Sequence, residues 1–128
     1  KEVDFFSIGT NDLTQYTMSV DRGNEKVSYL YSTFNPAVLR SIRNIIKCGR
    51  EAGIMVGMCG EAASDPMMIP LLLAFGLNEF SMSSSAILKA RKMITGYSEA
   101  ELQAVADKAM SFVSAKEIEN FMRDLINQ

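Results

Sequence analysis

Three short strand-like runs alternate with helix-length segments along this chain, and that alternation constrains its fold more than any other feature. The first run is Val3-Asp4-Phe5-Phe6-Ser7-Ile8, ended by Gly9. The second is Ile54-Met55-Val56 and the third is Glu79-Phe80-Ser81-Met82-Ser83. Between the first two, Asn35-Pro36 reads as a helix start, because Asn accepts from first-turn amides and Pro needs no hydrogen-bond partner there. Val38, Ile42, Ile45 and Ile46 then recur at helical spacing, and Gly53 closes the helix. Asp65-Pro66 opens another helix that Gly76 ends, provided Pro70 lies in its first turn or kinks it. Ser84 or Ser85 caps a further helix ending at Gly96. Strands separated by helices pair in parallel, since each crossover returns the chain to the same end of the sheet.

The last third has no strand. Ser98 with Glu101, and Ser114 with Glu117, each have the spacing of a reciprocal helix cap. Leu102, Val105, Ala106 and Ala109 form one apolar stripe; Ile118, Phe121, Met122 and Leu125 form the next. The order is therefore β-α-β-α-β-α-α-α, with the terminal stripes suited to a core or a subunit contact. No strand is followed by a glycine-rich dinucleotide fingerprint. A closed eight-stranded βα barrel needs about 250 residues, and three βα units do not close one. The 128 residues, starting almost inside a strand, read as one α/β domain, 1–128: the C-terminal portion of a TIM-type (βα)8 barrel with parallel strands.

Composition removes several alternatives. A net charge of −2 gives no broad electrostatic grip on nucleic acid. No apolar run approaches the ~20 residues that span a bilayer, and no secretory pattern opens the chain. Cys48 and Cys59 are too few for a disulfide framework and fit a reducing compartment. Histidine is absent, so no Cys-His nucleophilic pair exists within these residues.

The chemistry-bearing residues cluster after the strand runs, where α/β barrels present reactive groups. Asn11 and Asp12 follow the first run. Asp12 could ligate a hard cation and Asn11 could donate to an anionic oxygen; alternatively the pair caps a short helix over Leu13 to Met18. Arg22, in Val20-Asp21-Arg22-Gly23-Asn24, suits bidentate phosphate recognition, or is a solvated loop residue paired with Asp21 or Glu25. Cys59 sits between Gly57-Met58 and Gly60-Glu61. Its glycine neighbours leave space for a ligand and permit positive φ. A thiol is ordinarily protonated near neutral pH and can act as a general acid; the other reading is a buried structural thiol. Cys48, late in the first long helix, reads as packing. Glu61 could orient a neighbour or cap a turn, and Ser83-Ser84-Ser85 looks more like a helix cap than a phosphate cradle.

Taken together, the run from Asp4 through Gly9-Thr10-Asn11-Asp12-Leu13-Thr14-Gln15 to Thr17, with Val20 to Asn24 after it, closely resembles the motif of the phosphoenolpyruvate-utilising enzymes. Gly57 to Glu61 and Glu79 to Ser83 match its later landmarks. The Val-Asp-Arg-Gly-Asn variant is most similar to the enzyme I branch of that family, the phosphotransferases of bacterial sugar uptake, with pyruvate phosphate dikinase and phosphoenolpyruvate synthase as the alternatives. The likeness covers nearly the whole chain and is least specific after about Gly96. It implies a phosphoenolpyruvate-binding (βα)8 barrel that needs Mg²⁺, dimerises and works in the cytoplasm. It implies that Asp12 is one of two carboxylate ligands to Mg²⁺, that Asn11 contacts phosphoenolpyruvate, and that Arg22 holds the phosphate. Cys59 would protonate the methylene carbon as pyruvate forms. The phosphoryl group would pass to a histidine on a separate N-terminal domain and from there to a phosphocarrier protein, with neither nucleic acid nor membrane insertion involved. The second metal carboxylate and further phosphate-binding arginines would come from earlier strands. These 128 residues alone are therefore expected to be inactive and to expose unpaired sheet edges. The contrasting expectation is a non-catalytic assembly module whose terminal helices make a dimer contact.

Overall fold

A computed structural model describes residues 2–127. Strand β1 (Phe5–Gly9) leads directly into helix α1 (Thr10–Met18). A 3-10 turn at Ser28–Leu30 precedes α2 (Pro36–Ala52), then β2 (Met55–Cys59) and a second 3-10 turn at Glu61–Ser64. The chain continues through α3 (Ile69–Phe75), β3 (Glu79–Phe80), α4 (Ser84–Ile94), α5 (Glu99–Ser111) and α6 (Ala115–Ile126). The fold class is α/β, and the three strands form one parallel sheet in the order β1-β2-β3. Each strand lies beside its predecessor in sequence. No helix among the described residues is long and apolar enough to cross a membrane.

The register runs from Phe5↔Met55 to Gly9↔Cys59, and β3 continues it with Gly57↔Glu79 and Met58↔Phe80. Side chains alternate across a strand, so the sheet has two different faces. One carries Phe6, Ile8, Val56, Met58 and Phe80, and packs against the helices: Ile8, Val56 and Met58 are buried. The other carries Phe5, Ser7, Met55, Cys59 and Glu79, all exposed; Phe5 keeps 58% of its surface accessible and Met55 48%. All-parallel sheets are ordinarily covered on both faces. This one has helices on one side only.

The covered side is the core. Helix α2 supplies Val38, Leu39, Ile42 and Ile46, all fully buried, and α3 supplies Leu71 and Leu72. Helix α5 packs on α3 and α2, and α6 on α5. Val105, Ala106 and Ala109 of the first terminal stripe are buried, as are Ile118 and Met122 of the second. Asn35 caps α2 by accepting from the Ala37 amide at 2.9 Å. Both reciprocal caps form: Ser98 with Glu101, and Ser114 with Glu117. In each, the serine hydroxyl and backbone amide bond the glutamate and hold its carboxyl below the ordinary 4.5. A lowered folded value means that the caps contribute above pH 4.5 and fade as pH falls through that lowered value.

Several boundaries differ from the sequence expectations. β1 starts at Phe5 rather than Val3, because Met55 is the first residue of β2 to pair with it. β2 extends through Gly57, Met58 and Cys59 instead of stopping at Val56, so the thiol is the last strand residue. β3 is two residues long, not five. β2 ends at Cys59, and beyond Ser81, whose amide reaches the Met58 carbonyl at 2.8 Å, nothing remains to pair with. The helix expected from Asp65-Pro66 begins at Ile69, because the Asp65 carboxylate accepts from the Met67 amide and closes a separate turn. Pro70 then lies in the first turn, where its missing N–H is harmless. Ser83, not Ser84 or Ser85, occupies the cap position of α4, with its hydroxyl on Ser85. Cys48 is exposed rather than packed. It opens onto the groove beside β1 that Phe6, Ile8 and Ile45 also line.

Gly49 explains how α2 lies so close to the sheet. A Cβ there would run into Cγ2 of Val56, itself fully buried in β2, with the Phe6 ring 3.5 Å away. Elsewhere in a helix Gly→Ala is stabilising by roughly 0.5–1 kcal/mol. Here Gly49→Ala is expected to reverse that sign and destabilise by about 1–3 kcal/mol, because the collision partner cannot move. Urea unfolding of the two chains checks this; an equal or more stable variant would show that α2 and β2 are not in contact at Gly49.

Candidate functional site

The site is assembled where β1 and β2 end. Gly9 closes β1 opposite Cys59, the last residue of β2. Gly9 is also the N-cap of α1, so the chain passes from strand to helix with no intervening loop. Asn11 and Asp12 consequently lie inside the first helical turn, and no side-chain cap bond forms there. The reading of this pair as a helix cap is not realised. Asn11 is half-buried and Asp12 is exposed. A carboxylate in the first turn is favoured by the positive end of the helix dipole.

Side-chain hydrogen bonds join the two strand ends. Thr10 is fully buried, and its hydroxyl donates to the Cys59 carbonyl at 3.2 Å. The Cys59 thiol lies 3.8 Å from the Ile8 carbonyl, which accepts from it, and the residue is exposed. Among the described residues the thiol is therefore not buried. After Cys59 the chain turns at Gly60, whose φ of 93° lies where side chains are strained. A Cβ on Gly60 would stand 2.6 Å from the Thr10 hydroxyl and 3.9 Å from Cγ of Asn11. The Asn11 amide therefore borders the same small space as the Cys59–Gly60 turn. Glu61 opens the following 3-10 turn, and its carbonyl accepts from Ser64. Gly57 does not open the site. It lies within β2, and the Glu79 side chain fills the space above it at 3.1 Å.

Arg22 reaches the same helix by its backbone. Its amide donates to Oε1 of Gln15 at 3.0 Å, and Gln15 is three residues, nearly one turn, beyond Asp12. The neighbouring Asp21 carboxylate turns back onto the Gly23 amide at 2.8 Å. Neither Asp21 nor Glu25 forms an ion pair with the exposed guanidinium among the described residues. Asp12, Gln15, Tyr16, Ser19, Val20 and Asp21 line a groove of about 350 Å³. The structure thus brings Asn11, Asp12 and Cys59 to one edge of the sheet and ties the Arg22 backbone to the helix carrying the first two. It shows no bond from the guanidinium to Asn11 or Cys59.

No three His, Cys, Asp or Glu side chains converge to enclose a metal ion among the described residues. An exposed Asp12 carboxylate still suits Mg²⁺, which is commonly held by one or two carboxylates, with water and substrate phosphate completing the octahedron. Two contributors escaped sequence reasoning. Thr10 is indistinguishable from a solvated loop threonine until the parallel register sets it against Cys59. Tyr31, whose hydroxyl donates to Oδ1 of Asn11 at 3.2 Å, arrives from 20 residues away through an irregular segment with no periodic signal.

Comparison with known proteins shows the family of the chain. Residues 1–98 match the family described as PEP-utilising enzyme, PEP-binding domain. The Phosphoenolpyruvate-protein phosphotransferase of Priestia megaterium is 53% identical over 123 residues, 96% of this chain. Those of Staphylococcus carnosus and Bacillus subtilis are 49% and 52% identical over 124 residues, 97% of the chain. In all three cases the matched stretch is 22% of the relative. The chain spans about a fifth of the length of the curated relatives it matches.

The contact between Gly60 and Thr10 is testable by a double-mutant cycle. Gly60→Ala is expected to cost about 2 kcal/mol or more, combining backbone strain with the collision at the threonine hydroxyl. In a Thr10→Ala background the same substitution should cost measurably less by urea unfolding. Simple additivity of the two changes would contradict the contact.

Proposed function

The chain belongs to the PEP-utilising enzyme, PEP-binding domain family, and from that premise we propose that it is the C-terminal part of a phosphoenolpyruvate-protein phosphotransferase, residues 1–128 forming part of a (βα)8 barrel. Consecutive parallel strands with helices on one side are what a segment of barrel wall looks like. On this reading the bare face carrying Phe5, Ser7, Met55 and Cys59 is the barrel interior. The free edges of β1 and β3 are where the remaining strands pair. The groove of about 490 Å³ beside β1, lined by apolar Phe6, Ile8, Leu13 and Ile45, supports a neighbouring βα unit there. The phosphotransferase relatives support the enzyme I branch over pyruvate phosphate dikinase and phosphoenolpyruvate synthase.

The carrying observation is the register Gly9↔Cys59, which gathers a carboxylate, an amide and a thiol at the carboxyl edge of one sheet. In the proposed reaction the bond between phosphorus and the enol oxygen breaks, and a histidine nitrogen takes the phosphoryl group. The electron pair left on the enolate attacks the Cys59 thiol proton through the methylene carbon, giving pyruvate. Asn11 donates to a substrate oxygen, and the Arg22 guanidinium neutralises the phosphate. Asp12 offers a hard oxygen to Mg²⁺, which spreads the charge on the phosphoryl oxygens when bound. The acceptor histidine, the second metal carboxylate and the remaining arginines belong to the rest of the protein in this proposal. So does the phosphocarrier partner.

The same proposal places the protein in the cytoplasm, since both cysteines are free thiols that suit a reducing compartment. It also makes the protein a homodimer. Ile87 and Leu88 on α4, 42% and 77% exposed, support a contact between copies.

Removal of the proton donor tests the assignment in the longer protein. Cys59→Ala is expected to lower pyruvate release from phosphoenolpyruvate by about 10²–10⁴-fold, the usual contribution of a positioned general acid. Undiminished turnover would remove Cys59 from the mechanism.

A further inference from the structure

Tyr31 is a side chain bonded to the candidate site that the reading above leaves without a role. Its hydroxyl donates to Oδ1 of Asn11 at 3.2 Å. A carboxamide is directional: its oxygen only accepts and its nitrogen only donates. With Oδ1 engaged by the phenol, the donating end of Asn11 is the one left for a ligand. No hydrogen bond occupies Nδ2 among the described residues.

We propose that Tyr31 is a positioning residue that holds the Asn11 amide in place, with Oδ1 on the phenol and Nδ2 free to donate to an anionic oxygen of the ligand. The inference rests on the reading of Asn11 as a substrate contact and adds what keeps that contact in place. Free of Tyr31, the Asn11 side chain loses its tether and swings about its torsions, so that its donor is no longer held toward the substrate oxygen.

The segment bearing Tyr31 is suited to hold such an orientation. The Tyr31 amide closes the preceding 3-10 turn on the Ser28 carbonyl at 3.0 Å. The next residue, Ser32, donates to Glu119 of α6 at 3.0 Å. Thr33 shares a hydrogen bond of 3.4 Å with Thr14, a fully buried residue of α1. Phe34 is then buried in the core. Three successive residues thus fix the segment to α6, to α1 and to the core, and Tyr31 itself is half-buried. The phenol reaches Asn11 from a segment already anchored to the helix that carries Asn11. That is preorganisation of the kind that a precise polar contact requires.

The test uses the longer protein with phosphoenolpyruvate as the probe, and compares Tyr31→Phe, Asn11→Ala and the double variant. Tyr31→Phe keeps the ring and removes only the donor. It is expected to raise KM about tenfold with kcat little changed, the signature of a lost binding interaction, while the melting temperature stays near that of the unmodified protein. The double variant should be no worse than Asn11→Ala alone, because Tyr31 acts only through that amide. A wild-type KM in Tyr31→Phe, or losses that simply add, would overturn this proposal while an impaired Asn11→Ala leaves the phosphotransferase reading standing. Full activity in Asn11→Ala would overturn this proposal together with the reading of Asn11 as a substrate contact, since no substrate contact would remain to be oriented.

Discussion

The parallel pairing of β1 with β2 is the constraint on which the rest of this structure depends. A parallel register places every strand's carboxyl end on the same edge of the sheet. Gly9 and Cys59, 50 residues apart in sequence, are paired there. Because Gly9 is both the last residue of β1 and the cap of α1, the first turn of that helix begins at the pairing site. The Thr10 hydroxyl then bonds the Cys59 carbonyl and locks the two ends together. Because Thr10 is fully buried, its hydroxyl is costly to leave unpaired, so the bond fixes position more firmly than a surface contact of equal length. Gly60 is required by the same arrangement, since its backbone conformation and its nearness to Thr10 both disfavour a side chain.

The two faces of the sheet divide the labour of the fold. Ile8, Val56 and Met58 are sealed by α2 and α3. Gly49 lets α2 approach β2 at contact distance, and the terminal helices close over α3 and α2 without adding a strand. The opposite face holds Phe5 and Met55 half in water. Exposed apolar side chains on a parallel sheet are an unfinished interface. The family to which the chain belongs and the more than fourfold length of its relatives support the proposal that a longer protein completes it. Under the proposed function, the candidate site at one end of the bare face is walled on all sides only in the whole barrel.

Much of this was legible in the residues. The alternation of strands and helices, the parallel sheet, the Asn35-Pro36 helix start and both serine-glutamate caps followed from periodicity and local chemistry, because those signals act over a few residues. The long Gly-Thr-Asn-Asp-Leu-Thr-Gln run gave the family. What was illegible depends on distant residues. The length of β3 is decided by where β2 stops, and the start of α3 by a turn that Asp65 closes on itself. Cys48 reads as packing from its helix alone, yet it opens onto the groove beside β1, which no local signal marks. Thr10 and Tyr31 carry no motif of their own; their places emerge only when residues 20 to 50 positions apart are brought together.

The most direct measurement is a crystal structure of the longer protein with phosphoenolpyruvate, or an unreactive analogue, and Mg²⁺. This account predicts one bound molecule at the carboxyl ends of β1 and β2, its methylene carbon beside the Cys59 sulfur and an oxygen on Nδ2 of Asn11. A ligand seated at the amino ends of the strands, or held without contact to either residue, would contradict it.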